Sequence, residues 1–324
     1  TAWPPGGGAY GSWRAMPASL GPVSVVVPSY GRAALLPLTI PSYLQDVCGE
    51  LILVDDCSPD ATERAVAALA AADPRVRYIR SERNLKQTHA KNLGIKAARF
   101  PLIFFGDDDS LLLPGSLERL LKTMEESGAD IVGASAPYME TEEDAADPIA
   151  FAARRPRLTG PLVEPRKLHC HFDAAADGYL EAPFVHAAFL CRAGLAARIG
   201  FDEGYEGNCY REETDFLIRA RAAGAKIVYE PRAVQANLPR SMAGGGAHGS
   251  GSFVLRKLRY FHQAACNNAR FLKKNGRELN KALGLSLPAW LRHALFLADV
   301  AGVIVSYPLR KAAQIGRASC RERV

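Results

Sequence analysis

Two periodicities alternate through the first hundred residues of the chain. Residues 23–28 (V-S-V-V-V-P), 50–56 (E-L-I-L-V-D-D), 76–80 and 102–105 are continuous apolar runs rich in β-branched or aromatic side chains, as expected of strands buried on both faces. Between them, residues 35–44 form a short helix-like stretch. Residues 61–72 and 88–99 carry helical spacing, the former with Asp60 or Thr62 as its cap. Strands separated by helices of about ten to fifteen residues predict an α/β fold. The expected architecture is a mostly parallel, doubly wound sheet of about seven strands with helices on both faces. In such sheets ligands bind beyond the carboxyl ends of the strands.

From about Pro137 the pattern loosens. Residues 140–178 are acidic, then basic (Arg154, Arg155, Arg157, Arg166, Lys167), and read as a mobile loop region. Regularity returns at Phe189, in a helix over 214–223 and in a strand over 226–229. Glycines 244–246, 249 and 251 predict a flexible loop, followed by a long basic amphipathic helix over 253–274 and a last apolar stretch over 288–308. That stretch carries Arg292, His293 and Asp299 and is too short without interruption to span a bilayer. It reads as a buried helix or as an interfacial one lying on a membrane, with Arg310 and Lys311 beside it.

The division that follows has a leader over 1–22, a main domain over 23–240 with halves 23–135 and 136–240, and a glycine-rich loop with C-terminal helices over 241–314. Residues 315–324 (I-G-R-A-S-C-R-E-R-V) read as a translated sequencing-adapter oligonucleotide and are set aside. They hold three arginines and one glutamate, so the formal charge of +6 falls to +4 without them. Met16 is the expected start, with no apolar secretory segment before it, which makes the cytoplasm the default compartment. A hydrophobic fraction of 48% with 23% charged residues suits a water-soluble core-forming chain, and the modest, dispersed basic charge argues against nucleic-acid binding. Six cysteines outside the tail lie singly, as reduced thiols do. Residues 169–171 (H-C-H) invite zinc, but adjacent side chains point apart and no second cluster follows.

The chemistry concentrates at strand ends. The fourth strand stops on Asp107, Asp108 and Asp109, three adjacent carboxylates that repel one another unless a cation joins them. Oxygen ligands of this kind suit Mg²⁺ or Mn²⁺, which typically takes one or two carboxylates together with substrate phosphates. The same residues could instead solvate a strand end ahead of the helix that Pro114, Gly115 and Ser116 open. Ser29, Tyr30 and Arg32 follow the first strand, and Asp55 and Asp56 close the second, where an acid typically meets a nucleotide's ribose or base. No glycine-rich phosphate loop follows the first strand, which reads P-S-Y-G-R. A metal on the aspartate group is then the concentrated counter-charge for a diphosphate, pointing to group transfer rather than hydride transfer. A second acidic group, Glu212, Glu213 and Asp215, opens the helix over 214–223. Acids in a first turn also complement the helix dipole, at about 0.3–1 kcal/mol each.

Five segments resemble family 2 glycosyltransferases of the GT-A fold. They are V-S-V-V-V-P-S-Y-G-R (23–32), E-L-I-L-V-D-D-C-S-P-D-A-T (50–62), R-N-L-K-Q-T-H-A-K-N-L-G-I (83–95), D-D-D-S-L-L-L-P-G-S-L (107–117) and R-E-E-T-D-F-L-I-R-A-R-A-A-G (211–224), in the family's order. The resemblance implies that Asp107 and Asp109 are the outer acids of a D-x-D motif holding Mg²⁺ or Mn²⁺ and the sugar-nucleotide diphosphate, with Asp108 between them. It implies that Asp56 and Asp55 meet the base, that Pro28, Ser29 and Tyr30 line its pocket, and that Arg32 and Lys91 lie near base or phosphates. Lys86 and Lys91 depart from the family's usual Gly and Arg. Glu213 would be the base that deprotonates the acceptor, with Glu212 the alternative. A third metal ligand is often a histidine; Asn237 stands where one is expected and His248 is the nearest substitute. Tyr205, Glu206 and Arg240 fall on the acceptor side.

The activity implied is inverting transfer from a nucleoside-diphosphate sugar to a hydroxyl of a glycan or lipid-linked acceptor, in cell-surface polysaccharide or glycolipid synthesis. It would be cytoplasmic and peripheral to the membrane. The alternatives are a sugar-phosphate nucleotidyltransferase and a non-catalytic carbohydrate- or membrane-binding scaffold.

Overall fold

A computed structural model describes residues 21–243 and 253–304. Its strands are β1 Val23–Ser29, β2 Cys48–Asp55, β3 Val76–Arg80, β4 Leu102–Phe105, β5 Ser110–Leu112, β6 Ile131–Ser135, β7 Leu180–Glu181, β8 Phe189–Arg192 and β9 Ile227–Asn237. Helices α1 Leu36–Thr39, α2 Thr62–Ala72, α3 Lys86–Ala97, α4 Ser116–Ser127, α5 Glu142–Ala146, α6 Pro148–Ala153, α7 Ala193–Ile199, α8 Glu212–Ala222 and α9 Phe253–Leu283 connect and cover them. A last helix, α10, occupies residues 289–304.

Alternation along β1 shows why these runs become central strands. Val23, Val25 and Val27 pack on one face with Leu51, Leu53, Leu102 and Phe104, while Val26 packs on the other with Ile52, Val54, Ile103 and Phe105. Both faces are apolar because both are covered by helices. The β-branched side chains fit the pleat, and the run ends where Ser29 and Asp55 pair in register.

The strands lie in the order β3-β2-β1-β4-β8-β6-β9-β5, with β7 on β9. β1, β2, β3, β4, β6 and β9 run one way; β5, β7 and β8 run the other. The sheet is therefore mostly parallel, in the GT-A arrangement with C-terminal helices, and the very short β5 and β7 carry the strand number past seven. Parallel register brings the ends of β1, β2 and β4 to one edge, where the unusual polar residues collect.

Residues 140–178 hold more order than their sequence pattern predicts. Thr141 and Asp144 form a reciprocal capping box on α5, and the Asp147 carboxylate accepts the Ala150 N–H at the start of α6. Each helix is under two turns, too short to leave a periodic signal. Leu162, Val163, Leu168 and Phe172 from the same stretch are buried in the main core. α9 runs nine residues past its expected end at Lys274, to Leu283, because Leu279 continues the buried face (Phe271, Leu272). It stops at Gly284, whose φ of +60° suits a helix terminator.

Candidate active site

The aspartate triplet is the connection between β4 and β5, and its backbone is fixed from several sides. The Tyr43 hydroxyl, fully buried, accepts the Asp107 N–H (3.1 Å) and reaches the Asp107 carbonyl (2.8 Å). Thr39 Oγ1 donates to the Asp108 carbonyl (3.1 Å), and the Leu238 N–H donates to that of Asp109 (2.9 Å). Gly106 is required here, since a Cβ would lie 2.6 Å from the Tyr43 ring.

Among the side chains, Gln235 Nε2 donates to Asp107 Oδ2 (2.9 Å), and Arg32 pairs with Asp109 (2.5 Å) and more distantly with Asp108 (3.6 Å). Burial pushes the Asp107 carboxyl up to about 6, against the pull of Lys91. Burial pushes Asp108 up to about 7, against the pull of Arg32, with Asp109 adding repulsion. Three carboxylates against one guanidinium leave an unmet demand for positive charge. Among the described residues no three His, Cys, Asp or Glu side chains converge into a complete metal cage. The triplet instead fits a hard cation that takes one or two protein carboxylates and completes its shell with phosphate oxygens.

Asn237 is no ligand in this arrangement. Its Nδ2 lies 3.3 Å from the carbonyls of Ala136 and Pro137, and its Oδ1 accepts from Ser110 Oγ (2.8 Å), so it ties the 136–137 segment to β5. His248 lies outside the described residues.

Asp55 and Asp56 have different occupations. Asp55 is fully buried and accepts from the Ser58 N–H (2.8 Å), the Tyr78 hydroxyl (2.6 Å) and Arg80 (2.6 Å), so its carboxylate braces the loop after β2. Asp56 accepts the backbone N–H groups of Leu85 (2.8 Å) and Lys86 (2.7 Å) at the start of α3. Lys86 reaches this position in the left-handed region, at φ +73°, a conformation easiest for glycine. Burial raises the Asp56 carboxyl despite these donors. Ser29 is buried beside Asp108, whereas Pro28 and Tyr30 are half-buried. The Gly31 N–H donates to Ser58 Oγ (2.9 Å), fastening the loops after β1 and β2 together.

Lys91 lies against the glutamates. Its ammonium, 1% exposed, is 2.7 Å from Glu212 and 2.9 Å from Glu213, bridging α3 and α8. Gln87 Nε2 also donates to Glu212 (2.8 Å). Burial and the neighbouring Glu213 hold the Glu212 carboxyl well above its usual range. For Glu213 burial pulls the same way, but Lys91 and Glu212 outweigh it and hold the carboxyl low. The Lys91 ammonium thus favours the ionised form of the outer glutamate, 21% exposed, while burial disfavours that of the inner one. Cys209 (φ +49°) and Arg211 (φ +75°) just before α8 are also left-handed, a strained approach that aims the pair. Lys91 and Glu213 both act on Asp107 electrostatically, so the triplet and the glutamate pair lie near one another.

Asp215 belongs elsewhere: fully buried, it accepts from Arg219 (2.7 Å) and Asn275 (2.7 Å) and joins α8 to α9. Tyr205 is 1% exposed and lies in the core, not on an open acceptor face; Glu206 and Arg240 are exposed. The sequence reading missed His186, a half-buried imidazole near Glu213 and Lys91. Its Nδ1 has no hydrogen-bond partner, and burial lowers its pKa. A lone histidine in an irregular segment gives no signal of this.

The fold is of the GT-A class. The sequence profile of "Glycosyl transferase family 2" matches residues 24–176, and together with the relatives below it supports a family 2 glycosyltransferase. The succinoglycan biosynthesis protein ExoO of Rhizobium meliloti (strain 1021) is 33% identical over 217 residues, 65% of this chain and 59% of that protein. A GalNAc(5)-diNAcBac-PP-undecaprenol beta-1,3-glucosyltransferase of Campylobacter jejuni subsp. jejuni is 35% identical over 117 residues, 34% of this chain and 37% of that protein. The chain thus spans well under two thirds of the length of either relative. Among solved structures, the mannosyltransferase PcManGT of Pyrobaculum calidifontis, in complex with GDP-Man and Mn²⁺, superposes with a TM-score of 0.54 at 17% identity, covering 92% of this chain and 79% of that one. S. aureus TarS 1-349 with UDP-GlcNAc gives 0.53 at 14%, covering 89% and 92%. At these identities the structural likeness concerns the fold.

Proposed function

We propose that the chain moves a sugar from a nucleoside-diphosphate sugar to an acceptor hydroxyl with inversion at the anomeric carbon. The observation that carries this reading is Glu213, ion-paired with Lys91 at 2.9 Å and close enough to act electrostatically on the cation-demanding Asp107–Asp109 triplet. Asp56, Pro28, Ser29 and Tyr30 surround the nucleotide base, with Asp55 bracing their loop. Asp107 and Asp109 would hold Mg²⁺ or Mn²⁺ with the diphosphate, and such an ion would neutralise charge developing on the departing nucleoside diphosphate. Arg32, already paired with Asp108 and Asp109, sets the orientation of those carboxylates and is the nearest fixed positive charge to the phosphates. Glu213 accepts the acceptor's proton as its oxygen attacks in line, and Lys91 keeps that carboxylate ionised beforehand. Glu212 holds Lys91 in place.

The relatives named for succinoglycan synthesis and for an undecaprenol-linked glycan support a glycan or lipid-linked acceptor in cell-surface polymer synthesis. Among the described residues no helix is long and apolar enough to cross a membrane. α10 nevertheless exposes Trp290 (71%), Leu297 (42%) and Ile304 (44%) at seven-residue intervals, one stripe that suits contact with a membrane surface. The reading therefore has the chain act in the cytoplasm, peripheral to the membrane.

The test is product release from UDP-, GDP- and dTDP-sugars with Mn²⁺ and with EDTA. Metal-dependent nucleoside diphosphate from one donor supports the reading. Pyrophosphate would establish the nucleotidyltransferase instead. Neither product, with no donor binding by calorimetry, would leave a scaffold.

A further inference from the structure

At the edge of the sheet opposite the aspartate triplet, where the parallel strands begin, the chain forms a cleft of about 520 Å³. Its walls include Leu102 at the start of β4, Arg192 at the end of β8, Leu195 and Arg198 of α7, and the turn at 223–225 after α8. Leu102 and Arg192 pair across the β4–β8 ladder. A space of this size takes a small organic molecule rather than a bare ion. One element's length, about 16 Å, separates it from the aspartates along β4 and from the glutamates along α8. A molecule bound here does not touch the donor site.

The charges that line the cleft are unequal. Asp130 is engaged at both oxygens: Oδ1 accepts from Arg192 Nε (3.1 Å) and Oδ2 accepts the Lys226 N–H (3.0 Å). Among the described residues the terminal nitrogens of Arg192 meet no acceptor, and exposed Arg198 has no ionic partner. A basic residue in the last turn of a helix ordinarily complements the dipole, and one surface ion pair contributes little. Here two guanidinia line one hollow beside a single, already occupied carboxylate, so donors outnumber acceptors.

The hollow also has room and an apolar floor. A Cβ at Gly194 or Gly224, both in the wall, meets no atom within 4 Å, while Leu102, Leu195 and Ala225 are buried beneath it. Guanidinium groups match oxyanions in shape and charge. A phosphate monoester offers three terminal oxygens and close to two negative charges at neutral pH, enough for both arginines at once. A carboxylate offers two oxygens and one charge.

We propose that this cleft is a second ligand site, which takes a small organic phosphate with its phosphate between Arg192 and Arg198 and its body against Leu102 and Leu195. The site lies outside the donor and acceptor sites and does not depend on the reaction assigned to them.

Isothermal titration calorimetry in EDTA tests it, since without a divalent ion the aspartate triplet repels phosphate. The probes are inorganic phosphate, phenyl phosphate and glucose 6-phosphate, with benzoate and glucuronate as the carboxylate counterparts. At least one organic phosphate should bind once per chain, about tenfold tighter than inorganic phosphate or its own carboxylate counterpart. Arg198→Ala should weaken that binding about tenfold. Gly194→Leu, whose side chain enters the open space, should abolish it while the unfolding temperature holds. Arg32→Ala, at the donor site, should bind within about twofold of wild type.

The site is overturned if no organic phosphate binds saturably, or if inorganic phosphate or the carboxylates bind as tightly. Arg198→Ala or Gly194→Leu binding as wild type does would also overturn it. Loss of binding in Arg32→Ala would move the phosphate to the donor site and remove the second site from the account.

Discussion

At the level of single residues, Lys91 sits between Glu212 and Glu213; it pulls the outer carboxyl low, while burial holds the inner one high. Glu213→Gln should lower transfer by about 10²- to 10⁴-fold with donor affinity kept, as read by single-turnover kinetics and calorimetry. Glu212→Gln mimics the protonated carboxyl and should cost far less; equal losses would show that the pair acts without the division drawn here. Lys91 depresses Glu213 against the effect of burial, so the wild-type acid limb should lie below an ordinary glutamate value. In Lys91→Met burial acts unopposed, Glu213 gains its proton at higher pH, and the ratio of rates at pH 5.5 and pH 8 should fall. A pH–rate profile with an unchanged acid limb would refute the pairing.

These residues were partly legible in the sequence. Asp107–Asp109 and the acids at the start of α8 stand out as charges that need a reason. The pairing of Lys91 with the glutamates, 121 and 122 positions away, left no local trace. Nor did the burial of Tyr205 or the position of His186, because both depend on chain segments far apart.

Elements position those residues through close approaches. β4 can deliver Asp107 against Tyr43 only because Gly106 has no side chain. Gly106→Ala should cost about 1–3 kcal/mol by denaturant unfolding and weaken nucleotide binding in parallel, since the displaced ring also fixes the Asp107 backbone. α8 is anchored in the same first turn by Asp215, which accepts from Arg219 and Asn275 with Lys274 beside it. Asp215→Ala leaves Asn275 buried without that acceptor and should cost about 1–3 kcal/mol, whereas Asp215→Asn should cost less.

Central strands and helices were readable from periodicity because burial on both faces writes continuous apolar runs. β5 and β7, three and two residues long, and the capped turns α5 and α6 were not, since segments so short carry no period. Lys86, which stands where the resemblance expects glycine, is left-handed at φ +73°, the conformation glycine adopts most easily.

Across the whole molecule, the parallel half of the sheet gathers Ser29, Asp55 and the Asp107–Asp109 triplet at one edge. The strands β8 and β9 then carry the chain across to the C-terminal helices. The apolar stripe of α10 faces outward in this assembly. Trp290→Ser with Leu297→Ser should leave unfolding stability within about 0.5 kcal/mol and reduce co-sedimentation with anionic phospholipid vesicles. Unchanged co-sedimentation would remove the membrane from the account while leaving the chemistry intact.

The central claim is a single in-line displacement driven by Glu213, and the configuration of the released sugar tests it most directly. Proton NMR of donor hydrolysis, followed before mutarotation, should show the anomer opposite to that of the donor. Release of the sugar with the donor's own configuration would contradict the account.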